Sequence, residues 1–395
     1  MKERVRLSAF IYMVFAALLP LNQAFKLSDG LTINKITGLL IMVVCGLTVL
    51  YRSKGKLKIP QEVLPVILFA IWIFFTSAWS VGDLGLPINL LGSFLMLLSC
   101  LFIQFNQKEI FFIKAMLIVV YAAFSVYIVF IASENALRAT FSSETGESDP
   151  NALALVLAAG LLVAVDFFFE NKYKLLSLAC IAFIGIAVLM TGSRTGIIAV
   201  LIAVFCYMIV NAKKKSKKTI RVFIVIAVLV FTILFLIDKG MINTETLDRL
   251  TLTSVKDSGG NGRWEIWKIY LKAFFDNPAR MLFGYGTGTA HEITYMFSGR
   301  KVSSHNDYLL YATTLGLVGL TLFLTIIIRF IRKGIQSESA ISVALLSILV
   351  VGCMGINYFE KKDAFNLLIM AWQFACIKNV TRLKTKEHAT CEIDK

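Results

Sequence analysis

Long, mostly apolar runs recur from one end of this chain to the other, and most are long enough to cross a hydrocarbon core of about 30 Å. Twelve such spans are expected, near 7–25, 36–51, 63–80, 88–105, 111–132, 151–169, 174–190, 195–210, 220–237, 306–328, 339–358 and 364–379. A backbone in lipid must satisfy its own hydrogen bonds within each segment, so these spans are helices. Composition leads to the same place. The 395 residues are 57% apolar and 16% charged, with 31 Phe and a mean hydropathy of +0.76, more apolar surface than a soluble fold of this length can hide. The expected fold is all-α: a polytopic membrane protein forming one integral domain over 1–395, with a long outside loop at 239–305 and a tail at 380–395.

The net charge of +15 could suggest nucleic acid, but its placement points to topology. With the N-terminus in the cytoplasm, 25 of the 40 Lys and Arg fall on the inner side and only 6 in the short outer loops. That is a strong positive-inside bias, with both termini expected inside. The run Lys213-Lys214-Lys215-Ser216-Lys217-Lys218 is then a topology determinant facing anionic lipid, and no nucleic-acid partner is expected. Lys2, Arg4 and Arg6 before the first apolar run resemble a secretory signal. No small-x-small cleavage site follows, so a retained first helix is expected. The seven cysteines fall in spans or in the tail, consistent with apolar packing; neither a disulfide framework nor a metal site is expected.

Two outside segments stand apart. Residues 133–150 are acidic and end in Asp149-Pro150-Asn151 at the mouth of the sixth span. In the long loop, apolar residues at 264, 267, 271, 274 and 275 oppose Glu265, Lys268, Lys272 and Asp276, which predicts a helix suited to the membrane interface. Asp276-Asn277-Pro278 ends it. The glycine-rich stretch Phe283-Gly284-Tyr285-Gly286-Thr287-Gly288-Thr289 could offer backbone N–H groups to an anion. With no strand before it and no clear helix opening from it, a plain turn is the expectation.

No ionisable residue sits near the middle of a span; Asp166 and Lys114 lie close to the cytoplasmic ends. Ion-coupled carriers place such groups at mid-depth, so a carrier or lipid-linked glycan flippase is disfavoured. Polar capacity gathers at the outer rim instead. Thr191-Gly192-Ser193-Arg194-Thr195-Gly196 makes a tight turn around one arginine. Arg194 can simply snorkel to a headgroup, or its guanidinium fork can grip phosphate oxygens. Arg263 opens the interfacial helix and, taken alone, is an ordinary surface charge. His305, in Ser303-Ser304-His305-Asn306-Asp307-Tyr308, sits where water meets membrane and can act as a general base near neutral pH. Its ordinary role would be a polar residue beside a helix cap made by Ser304 or Asn306. His291 lacks comparable context, and His388 lies in the tail.

His305-Asn306, nine residues, then Gly316-x-x-Gly319 resembles the His-Asn/Ser/Gln-x9-Gly-x-x-Gly signature of the bacterial O-antigen ligase/polymerase superfamily. The Thr-Gly-Ser-Arg turn, Asp149-Pro150-Asn151, and the stretch from Arg263 through Trp267 to Asn277-Pro278 are similar to that family's other landmarks and stand in its order. The likeness rests on motifs over 151–330 and on layout elsewhere. One departure is that the ligases' Arg-x3-Leu pattern reads Arg194-x3-Ile198 here.

The resemblance implies a GT-C-like, metal-independent, inverting glycosyltransferase of the bacterial inner membrane, with its active site on the extracytoplasmic side and no cofactor. The implied donor is a glycan on undecaprenyl diphosphate. The implied acceptor is a sugar hydroxyl of a glycan or lipid-linked sugar. His305 would be the catalytic base, Arg194 and Arg263 would bind the departing diphosphate, and Ser193 and Asn306 would complete the substrate site. Polymerisation of surface polysaccharide repeat units is the expected reaction. Ligation of a finished glycan to lipid A-core or another acceptor is the alternative.

Overall fold

The computed structural model describes residues 5–21, 26–28, 31–53, 59–82, 85–130, 142–143, 146–147, 149–170, 173–212 and 262–393. The expected span at 220–237, the lysine run, residues 239–261 of the long loop and most of the acidic segment lie outside them. Helices dominate the described residues. In chain order they are α1 (Leu7–Ala17), α2 (Ile33–Ser53), α3 (Val63–Thr76), α4 (Gly85–Leu101), α5 (Gln107–Phe130), α6 (Pro150–Glu170), α7 (Lys174–Met190) and α8 (Arg194–Ala212). There follow α9 (Arg263–Phe274), α10 (Pro278–Phe283), α11 (Ala290–Ser298), α12 (Asp307–Thr314), α13 (Gly316–Gln336), α14 (Ala340–Gly355) and α15 (Lys362–Ile393). Two antiparallel ribbons of two or three residues per strand are the only sheet among the described residues.

Helix thus stands at every expected span inside the described residues. Among the described residues four segments are long and apolar enough to cross a membrane: Ile33–Tyr51, Gln107–Phe130, Pro150–Glu170 and Arg194–Asn211. Shorter apolar helices accompany them. The third of the four is 94% buried, against 22% for the first and 33% for the last, so α6 is the centre of the bundle. It packs on α5, α7, α8 and α14, while α8 runs along α14 and α15 lies against α4, α13 and α14. Close backbone approach makes this possible: a Cβ at Gly196 of α8 would stand 2.5 Å from the Cβ of Ala154 on α6. The ionisable residues Lys114, Asp166 and Glu170 pair with each other. Lys114 Nζ donates to Asp166 Oδ2 and Glu170 Oε2, both at 2.6 Å, and Tyr207 donates to Asp166 Oδ1 at 2.8 Å, locking α5, α6 and α8 together.

Two sequence expectations change here. The span at 306–328 is a broken helix: α12 stops at Thr314 and α13 restarts at Gly316, whose φ of +70° no L side chain adopts cheaply. The break leaves the carbonyls at the end of α12 without partners in their own helix. The glycine-rich stretch supplies them. Tyr285 N–H donates to Thr313 O at 3.1 Å, Gly286 N–H to Thr314 O at 2.8 Å, and Trp72 Nε1 to Leu315 O at 2.9 Å. The stretch is therefore a turn that spends its N–H groups on protein, although α11 does open directly after it. Contact is so close that a Cβ at Gly316 would lie 2.3 Å from Leu282 O.

The second change concerns α9. It starts at Arg263, and Asn277 caps the next helix by accepting Ala279 N–H at 2.8 Å. Its two tryptophans lie together, with ring centroids 5.4 Å apart, but the face they share is only partly open: Trp264 is exposed while Trp267 is half-buried toward Ser304. At the C-terminal end, α15 continues as helix through the stretch expected as a tail.

Gly316→Ala combines positive φ with a backbone clash and is expected to destabilise the protein by about 2–4 kcal/mol. Gly299 has a φ of +70° but a Cβ there would meet nothing within 4 Å, so Gly299→Ala should cost only about 1 kcal/mol. Thermal unfolding of both variants in one detergent checks the ranking; equal losses would remove the packing argument.

Candidate active site

Five helix N-termini meet at one end of the bundle. The turn before α8 is set by Gly192, with a φ of +58°, and by Ser193, whose Oγ donates to Asn151 Oδ1 at 3.0 Å and accepts Gly196 N–H at 3.2 Å. This ties the start of α8, where Arg194 stands, to the start of α6. Asp149 caps α6 through Asn151 N–H at 2.9 Å, and its other oxygen pairs with Lys361 Nζ at 2.9 Å, one residue before α15. Arg263 is the first residue of α9, and His305 precedes α12 by two residues.

The segment 303–307 is pinned on both sides of the histidine. Trp267 Nε1 donates to Ser304 O at 3.0 Å. Ser304 Oγ donates to Asn357 Oδ1 and Asn357 Nδ2 donates to Ser303 Oγ, both at 2.9 Å. Asn306 Oδ1 caps α12 by accepting Leu309 N–H at 3.1 Å. Buried Asp307 Oδ2 accepts the N–H groups of Tyr358 and Phe359, each at 2.8 Å. Beneath, Phe359 packs into an aromatic cluster with Phe69, Tyr311, Phe323 and Phe365, which fixes the turn between α14 and α15. His305 itself is exposed and held at a φ of +49°, a left-handed conformation that costs a non-glycine residue about 1 kcal/mol. Strain of this kind collects at functional positions.

The charges converge as well. Arg263 lies near enough to Asp149 and Arg194 to feel both, and burial together with Arg194 holds its pKa below the ordinary guanidinium value. His305 is held below the usual 6.5, first by loss of water around the ring, then by the Arg263 charge; Asp149 opposes this and Lys361 adds to it. Both effects favour the neutral imidazole, the form able to accept a proton. Arginine at a helix N-terminus opposes the helix dipole, and here it happens twice. The dipole alone would not favour that placement; the Asp149 charge offsets it at Arg263, and an anion bound between the two helix starts would do so for both.

The structure thus brings Arg194, Arg263 and His305 into one electrostatic neighbourhood. Ser193 is fully buried and holds the turn below Arg194, and Asn306 acts as the helix cap. His291 lines a neighbouring cavity, and the side chain of His388 lies outside the described residues. Sequence reasoning missed the turn 356–361, which brings Asn357, Glu360 and Lys361 to the site. Its only signal was a cluster of charges in a short loop between two apolar runs. Burial pushes the Glu360 carboxyl up from 4.5 to about 7, against the pull of Lys361 and Asn357.

A family model described as O-antigen ligase matches residues 178–324. That stretch is similar to the O-antigen ligase-like superfamily. The ligase-like region contains Arg194, Arg263, His305, Gly316 and Gly319 and excludes Asp149, Glu360 and Lys361. Together with the apolar helices it marks an integral membrane protein. No curated protein matches the chain. A solved chain from a study titled "Structural coordination of polymerization and crosslinking by a peptidoglycan synthase complex" is similar at 14% identity and a TM-score of 0.45. The match covers 81% of this chain and 96% of that one.

Two outcomes follow from the site's geometry. His305→Gly removes the left-handed strain and should fold at least as stably as the wild type; a large loss of thermal stability would show that the ring is a packing element. The folded state also holds on Glu360 a proton that the unfolded chain releases above about 4.5. Stability from this group is present at low pH and lost as pH rises through about 7. Glu360→Gln should therefore match the wild type in acid and become the more stable of the two toward pH 8; a pH-independent difference would contradict the raised carboxyl.

Proposed function

We propose that this protein is an inverting, metal-independent membrane glycosyltransferase that uses a glycan on undecaprenyl diphosphate as donor and a sugar hydroxyl as acceptor. The observation that carries the reading is the pair Arg194 and Arg263, each opening a helix and each within reach of the other's charge, beside His305, whose surroundings favour the neutral ring. The ligase description of the matched region supports the substrate class.

In the reaction, His305 takes the proton of the acceptor hydroxyl as its oxygen attacks the anomeric carbon. The new C–O bond forms opposite the bond to the diphosphate, which breaks and leaves its electron pair on the diphosphate oxygen. Arg194 and Arg263 meet that growing charge with preorganised donors, and the helix N-termini add to the field. Ser193 and Asn306 complete the substrate site by holding the Arg194 turn and the start of α12. The polyprenyl chain lies along apolar helix surface. Of the two reactions that share this chemistry, we favour polymerisation of surface polysaccharide repeat units (O-antigen, capsule or exopolysaccharide). The protein works at the extracytoplasmic side of the bacterial inner membrane, in a twelve-span GT-C-like layout.

Cells carrying His305→Gly are expected to accumulate lipid-linked single repeat units on a sizing gel. Long unattached chains would mean a ligase, and an unchanged pattern would remove His305 as the base. Arg194→Lys keeps the charge and loses the fork; a fall of about 10²-fold in transfer is expected, and near-normal activity would argue against bidentate phosphate binding. With purified protein, activity should rise with pH through a pKa below 6.5 and then level. In Arg263→Gln the inflection should move upward, because a cation that repels the imidazolium is gone; an unmoved inflection would separate Arg263 from His305.

A further inference from the structure

Beside the arginine pair lies a cavity of about 220 Å³. Its lining combines apolar Ile73, Leu90 and Leu315 with polar Ser303, Asn357 and Glu360. Tyr311 also lines it. That side chain is 3% exposed, and its hydroxyl is buried with no hydrogen-bond partner, an arrangement that awaits one from a ligand. The volume is below the ~300–1,000 Å³ of pockets for drug-sized ligands and suits a single sugar ring. A lining that mixes apolar side chains with carboxylate, amide and hydroxyl groups matches a pyranose, with its C–H faces and hydroxyl rim. Among the described residues neither Arg194 nor Arg263 is in the lining, and no arginine or lysine is, so anionic sugar is disfavoured.

We propose that this cavity is the acceptor subsite, taking one neutral or amino sugar ring that donates hydrogen bonds to Glu360 and is oriented by Asn357 and Tyr311. The inference rests on the transferase reading above. Asn357 makes the connection to chemistry, since it faces the cavity and also holds Ser303 and Ser304, the residues leading into His305. A sugar seated on Asn357 and Glu360 presents a hydroxyl toward His305, while the donor diphosphate occupies the arginine side. Charge divides the site into an anion half and a neutral-sugar half.

The test is saturation-transfer NMR of the protein in nanodiscs, with N-acetylglucosamine, glucose and glucuronate as probes, alongside the transfer assay. The two neutral sugars are expected to bind and glucuronate to bind far more weakly. Glu360→Ala should weaken sugar binding about tenfold or more, and the isosteric Tyr311→Phe about fivefold. His305→Gly should leave it unchanged. For Glu360→Ala, the KM for acceptor should rise more than kcat falls. Sugar binding that is absent from the wild type, indifferent to both cavity variants, or equally strong for glucuronate overturns the subsite. An inactive His305→Gly would then leave the transferase reading standing. Conversely, loss of sugar binding in Glu360→Ala with full transfer in His305→Gly overturns that reading and keeps the cavity as a sugar site.

Discussion

Backbone hydrogen bonding in hydrocarbon is the constraint from which the rest of this structure follows. Segments that cross the lipid close their own hydrogen bonds as helices, so polar groups can be concentrated only where helices end. In this chain the starts of α6, α8, α9, α12 and α15 come together, joined by Ser193 to Asn151, Asp149 to Lys361, and Asp307 to the backbone of Tyr358 and Phe359. Two arginines are added to ends that already carry positive potential. An aqueous surface would favour acids there; an anion-binding site favours what is found.

The same economy explains the glycine pattern. Gly316 breaks an apolar run so that α12 can stop short, and the carbonyls thus exposed are taken by the turn at 284–286. The break lets a short helix carry His305 at one end and wall a cavity with Tyr311 along its length. Gly319 serves a separate need, since a Cβ there would lie 3.1 Å from the Trp72 ring, and Trp72 donates to Leu315 O at the break itself.

Much of this was legible in the sequence. Apolar runs located the helices, and the types and order of Arg194, Arg263 and His305 pointed to anion binding beside a base. What was not legible depended on distant pairing. Gly316 sits in an apolar stretch that reads as one continuous span, because a positive φ leaves no trace in composition. The acids and amides of the 356–361 turn look like any short charged loop until Asp307 and Asn357 are seen to latch it to the distant histidine segment. Trp267 read as part of a lipid-facing stripe, whereas its N–H is needed by Ser304 O. Ser193 and Asn306 were expected at the site from the family resemblance, and their local task in the structure is to hold a turn and a helix start.

The central claim is that Arg194 and Arg263 form one diphosphate site. Its most direct test is the affinity of the purified protein in nanodiscs for undecaprenyl diphosphate, measured beside undecaprenyl monophosphate. The account predicts a preference for the diphosphate that falls about tenfold or more in Arg194→Gln and again in Arg263→Gln, weakens with salt, and survives in His305→Gly. Equal binding of both lipids by the wild type and both arginine variants would contradict it.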